Sequence, residues 1–131
     1  MISINYRIIC ILIISLYFIP SSCIANPNAI YKTDEVISLS GTINIQTFLD
    51  ANDHPEDAFI LKLSTPIAVQ EDEFGGPVSN VSEVQLVIPH NINGKELLSK
   101  QIIVEGMLFY PITAHHHTPI LLELKKVSII K

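Results

Sequence analysis

The sequence predicts an all-β domain with one short helix, folded as a small five-stranded OB-like Greek-key barrel. Three observations lead there. From about residue 36 onward, apolar residues alternate at period two in five separate segments. Asn93, with Glu96 three places on, marks one short helix between the third and fourth segments. Gly41 and Gly106 fall on the inward parity of the first and fourth strands, where a small closed barrel has to coil sharply. Three strands, a short helix and two strands is the chain order of an OB barrel. An SH3-like barrel or an open sandwich is the rival expectation.

In the first strand Ile37, Leu39, Ile43 and Ile45 point one way, while Ser38, Ser40, Thr42, Asn44 and Gln46 point the other. The acidic, turn-rich segment from Leu49 to Asp57 follows. Phe59, Leu61 and Leu63 then form the inward row of a second strand that Pro66 is expected to end. Residues Gln70 to Asn80, with Glu71, Asp72 and Glu73 ahead of Gly75, Gly76 and Pro77, read as an exposed loop. Val84, Leu86 and Ile88 make the third row, closed by Pro89, and the helix is expected to reach about Lys100. The fourth strand, Gln101 to Tyr110, turns Ile102, Val104, Leu108 and Tyr110 inward. It leaves Ile103, Met107 and Phe109 outside as a contact stripe or as cover for the helix or N-terminal arm. The fifth has Leu122 and Leu124 inward until Lys125 and Lys126 break the parity, which predicts a bulge.

A chain of 131 residues suits one such domain, and its apolar excess is concentrated from Ile8 to Ile19. That uncharged run follows Arg7 and precedes Pro20 and small residues through Ala25, the pattern of a cleavable signal peptide spanning 1–25. It is shorter than the about 20 residues a membrane helix needs, so no stable membrane span is expected after processing. The rival is lipid anchoring through Cys23, although Pro20 stands where lipoprotein signals carry an aliphatic residue. The expected organisation is a signal at 1–25, a flexible arm at 26–35 and the barrel at 36–131, in a periplasmic or secreted protein.

Both cysteines, Cys10 and Cys23, lie in the signal, so the processed domain would have no disulfide, zinc-thiolate site or cysteine nucleophile. Removing Arg7, the only arginine, leaves lysine as the only permanent cation and moves the net charge somewhat beyond −5. Nucleic acid is therefore not an expected partner, since neutralising phosphates takes a clustered basic face. Catalysis has little to rest on. No Gly-x-Ser-x-Gly elbow surrounds Ser40 or Ser82, the acidic triplet reads as a solvated face, and phosphate-cradling and dinucleotide patterns are missing.

One constellation carries chemical potential: Thr113, His115, His116, His117 and Thr118. In extended backbone His115 and His117 share a side while His116 points away. In an OB barrel the loop holding them and the loop 49–57 flank one binding face. That topology would bring His54, or a carboxylate from Asp50, Asp53, Glu56 and Asp57, up to the histidines. Three uses follow. His115, His117 and His54 would hold zinc or copper, the only cofactors suggested. Alternatively, imidazoles and hydroxyls close a turn by binding loop amides and carbonyls. A pH-responsive contact surface is the third.

Three stretches carry a resemblance: Ile37–Thr42 (ISLSGT), Ala58–Val69 (AFILKLSTPIAV) and Val104–Leu121 (VEGMLFYPITAHHHTPIL). In them the chain resembles the small exported bacterial family of domain of unknown function 4431. It departs from that pattern at Ala114, where glycine is common, and at Ala68, where cysteine is common. The resemblance implies an exported β-barrel and brings no activity with it. The expected function is thus a binding module of the bacterial cell envelope, not an enzyme. It would meet an envelope protein, glycan or small ligand through the face between loops 49–57 and 111–119, with Asp53, His54, Thr113, His115, His116, His117 and Thr118 as contacts.

Overall fold

A computed structural model describes residues 29–131. The signal expected at 1–25, with Cys10, Cys23 and both expected processing routes, and residues 26–28 of the expected arm lie outside the described residues. Six strands follow in order: β1 (Ile30–Tyr31), β2 (Val36–Leu49), β3 (Pro55–Val69), β4 (Val78–Val87), β5 (Gln101–Phe109) and β6 (Leu121–Ile129). Strand β2 pairs antiparallel with β3 from Gly41↔Leu63 to Leu49↔Pro55, and with β5 from Val36↔Met107 to Thr42↔Gln101. Strand β3 continues antiparallel to β4, and β5 to β6. A short parallel pairing of β4 with β6, Gln85↔Leu121 to Val87↔Glu123, closes the ring. Without β1, the third and fifth strands are the parallel neighbours, which is the OB barrel rather than an open sandwich.

The inward rows meet in one core that includes Leu39, Ile43, Leu61, Val84, Ile102 and Leu122. Gly41 and Gly106 occupy the inward positions expected of them for a concrete reason. A Cβ on Gly41 would overlap the carbonyl oxygen of Lys62, and one on Gly106 that of Glu123, so neighbouring strands cross there at backbone distance. The parity break at the fifth strand is also a bulge. Glu105 pairs with Lys126 and Gly106 with Leu124, leaving Lys125 as the extra residue.

Four expectations need correction. The helix is a single 3-10 turn, Gly94–Leu97, whose Asn93 side chain accepts from the Lys95 amide, and Ser99 in the left-handed region (φ 62°) turns the chain into β5. Pro66 does not end the second strand. Pairing skips from Lys62 to Ile67, so the proline sits in an irregularity where its missing N–H breaks no ladder, and β3 runs on to Val69. The segment read as a loop over 70–80 is shorter, since β4 already starts at Val78. Within the segment read as an arm, Ile30 and Tyr31 pair in parallel with Ala68 and Val69. The Gln70 amide donates to the Tyr31 carbonyl and the Thr33 hydroxyl to Asp72. That part of the arm is an element of the sheet, held by β3 residues beyond Pro66.

Candidate functional site

The outer surface of the barrel carries a second, smaller buried set. Ile60, Gln85 and Leu121 sit side by side across β3, β4 and β6, on the face turned away from the core. All three are nonetheless buried, because the segment between β5 and β6 folds over them. Gln85 ties that segment down. Its Nε2 donates to the His115 carbonyl (2.9 Å) and its Oε1 accepts from the His117 amide (2.7 Å). Its own amide donates to Thr118 Oγ1 (3.0 Å), and that hydroxyl donates to the Ile120 carbonyl (2.6 Å). Among the described residues no buried side-chain polar atom is left without a partner, which is what allows a glutamine and a threonine to be sealed here.

The hairpin between β2 and β3 is equally defined. Asp50 Oδ1 accepts from the amides of Asn52 (2.8 Å) and His54 (2.9 Å), and Asp53 takes the left-handed conformation (φ 61°) that completes the turn. These amides lower the pKa of Asp50. The turn shapes where β3 begins, and so where Glu56 points.

Glu56 is the residue that joins the two loops. Its Oε2 lies 2.6 Å from His115 Nδ1 and its Oε1 2.7 Å from His117 Nε2. The bond from His117, then that from His115, holds the Glu56 carboxyl below its ordinary pKa against the opposing effect of burial. An ionised carboxylate only accepts, so His115 carries its proton on Nδ1 and His117 on Nε2. His117, 10% exposed, also stacks on Phe48 with ring centroids 4.4 Å apart and planes 2° from parallel. His116 points away, as strand geometry implied. Its Nδ1 accepts from the amides of Ile112 (3.0 Å) and Thr113 (3.3 Å), and its ring meets Phe109 edge-on at 5.4 Å. Burial, followed by the charges of His115 and His117, lowers its pKa.

The topology therefore brings a carboxylate to His115 and His117 as expected, and the carboxylate is Glu56. Asp53 and His54 are not brought to them. Asp53 serves the turn, and His54 is 74% exposed with Nδ1 3.6 Å from Asp50 Oδ2. Thr113 stays within its own loop, where its Oγ1 accepts from the His115 amide. No group of three or more histidine, cysteine, aspartate or glutamate side chains arranged to hold a metal occurs among the described residues. The two imidazole nitrogens that come closest address opposite oxygens of one carboxylate rather than a common point.

Beside this cluster runs a groove of about 400 Å³, lined by Gln46, Phe48, Ser82, Glu83, His117 and neighbouring residues of β4 and the histidine loop. Gln46 Nε2 donates across it to Glu83 Oε1 (3.3 Å). Sequence reasoning passed over Gln85 beneath the histidine loop and, in the groove, Phe48 and the β2 and β4 residues Gln46, Ser82 and Glu83. An outward aromatic at the end of the first strand was a usable sign for Phe48. Gln85 lies between Val84 and Leu86 and reads as any solvent-facing residue.

No curated protein matches the chain. Among solved structures it is similar to the crystal structure of the mitochondrial single-stranded DNA binding protein Rim1 from S. cerevisiae. Identity is 16%, coverage is 74% of this chain and 94% of that one, and the TM-score is 0.33, too low to bear on fold or ligand. Residues 83–128, from the middle of β4 into the last residues of β6 with the histidine loop between, match the family described as Domain of unknown function (DUF4431).

Proposed function

We propose that this chain is an exported binding module of the bacterial cell envelope, periplasmic or secreted, whose ligand lies in the groove between the β2–β3 turn and the histidine loop. The observation that carries the reading is the double hydrogen bond from His115 and His117 to Glu56. It locks two loops together beside a cleft, and a cleft already ordered before binding loses little entropy on binding. Phe48 supplies an apolar wall, and Gln46, Ser82 and Glu83 supply polar groups that fix orientation. The N-terminal sequence pattern supports export.

The test is retention of envelope components on immobilised protein, compared between wild type, Ser82→Trp in the groove and Ser128→Trp on β6 away from it. A ligand, whether protein, glycan or small molecule, should be lost with Ser82→Trp and kept with Ser128→Trp. Equal retention by all three, or none by any, ends the proposal.

The metal alternative is favoured by one observation, the meeting of His115, His117 and Glu56. Zinc or copper would have to displace both hydrogen bonds to reach the nitrogens that face Glu56. Calorimetric titration of either metal into wild type and a His115→Ala, His117→Ala double variant decides it. Binding that is tight only in wild type supports the metal, and equal weak binding removes it.

A further inference from the structure

Strand β4 has an unfinished edge. On one side it pairs with β3 at Val78 and Val81, then regularly from Glu83, so Ser79, Asn80 and Ser82 have no cross-strand partner there. On the other side it pairs with β6 only from Gln85 to Val87. The Gln85 amide points to that second side, toward Thr118, and Glu83, two residues earlier in the same ladder, turns its N–H and C=O the same way. Among the described residues no backbone group bonds them. An open edge is a template for one more strand, and peptide recognition commonly uses it.

The surroundings suit a long ligand. The groove beside Phe48 and His117 meets, at Val78 and Ser79, a second cavity of about 730 Å³ bordered by Ile30 and Glu71. The short side chains of Ser79, Asn80 and Ser82 are exposed and leave the backbone open to approach. Asn80 in the left-handed region (φ 54°) kinks the edge, which limits an added strand to a short segment. The formal charges lining the two cavities are Glu83 near one end and Glu71 near the other, and no lysine or arginine lines either among the described residues.

We propose that the groove takes an extended peptide segment of a partner protein, added along β4 from Val78 to Glu83. The segment has an apolar middle and lysine or arginine toward its ends. This rests on the binding-module reading and names the partner of that same face.

The test selects short peptides from a phage-displayed random library on the immobilised chain. The winning peptide is then titrated by fluorescence anisotropy against wild type, Glu83→Lys and Ser82→Trp, with circular dichroism confirming that both variants are folded. Basic peptides should be enriched. Each variant should weaken binding by about tenfold or more, the scale of one lost charge-assisted contact. N-methylation of the peptide should abolish binding in one alternation of residues and spare the other. No enrichment, or binding indifferent to both variants and to the register of N-methylation, overturns the proposal. A glycan array run in parallel separates the two readings. Glycans bound by wild type and lost with Ser82→Trp, without any peptide, overturn the peptide partner and leave the binding face standing. Neither ligand class bound overturns both.

Discussion

Replacing Gln85 by methionine keeps length and volume while removing both side-chain hydrogen bonds from Gln85 to the histidine loop. Each such bond contributes about 1 kcal/mol net, and a buried group left without a partner costs about 1–3 kcal/mol more. The orphaned groups are the His115 carbonyl and the His117 amide. His115 is exposed, so water reaches its carbonyl and most of that added cost is avoided, whereas the His117 amide is better shielded. The sum is a loss of about 2–3 kcal/mol, which for a domain of this size lowers the melting temperature by roughly 10–20 °C. Equilibrium unfolding in urea, followed by circular dichroism, reads it directly if the slope with denaturant is unchanged. Gln85→Glu retains an acceptor for the His117 amide but no donor for the His115 carbonyl, and it too should destabilise the fold. A loss below about 0.5 kcal/mol for the methionine variant would show that the loop stays in place without its glutamine, and would refute the account of Gln85 as its anchor.

Gly41→Ala should destabilise by about 3 kcal/mol, at the upper end for overpacking, because the obstructing atom is the Lys62 backbone and cannot turn aside. A melting curve superimposable on wild type contradicts the close crossing of β2 and β3. The pKa of Glu56 is depressed in the fold, so its contribution to stability is present above its ordinary value of 4.5 and is lost as pH falls through the lower folded value. Glu56→Gln should flatten that part of the stability–pH curve, and an unaltered curve counts against the paired carboxylate. Burial, then the charges of His115 and His117, lowers the pKa of His116 and the two amides donating to Nδ1 leave its proton on Nε2, so it should titrate below 6.5, and stability should decline as pH drops from that value toward the folded pKa. Imidazole nitrogen NMR reporting an ordinary or raised value, or the other tautomer, would contradict it. Tyr110→Phe removes a hydroxyl lying 2.9 Å and 2.8 Å from the carbonyls of Gln70 and Gly76, and should cost about 1 kcal/mol in urea unfolding, while no change implies that solvent replaces it.

The order of the barrel was legible because each main strand carries its own period-two signature, and because glycines and a doubled lysine mark the places where that signature is interrupted. What escaped reading depends on partners far away in the chain. Pro66 looks like a terminator until the slack in the β3–β4 register absorbs it, and Ile30–Tyr31 is too short to show any period. The approach of the two loops follows from topology alone. Which of four acids meets the histidines depends on one residue of hairpin register, since Glu56 stands opposite Phe48 while Asp57 stands opposite Thr47 and bonds its hydroxyl. Gln85 illustrates the hardest case. Its outward parity is correct, and it is buried only because a segment some thirty places later folds across it.

The ring is fastened at its seam by only three residue pairs, Gln85–Val87 against Leu121–Glu123. Those pairs are also the ones that make a cylinder out of a curled sheet, and the chain between them carries the whole of β5 and the histidine loop. Without them both lips of the sheet would stand open to water and to other chains. The glutamine, threonine and histidines packed over this join therefore act as its clasp beside the groove, so that a ligand held there, as proposed above, would also help to keep the cylinder shut.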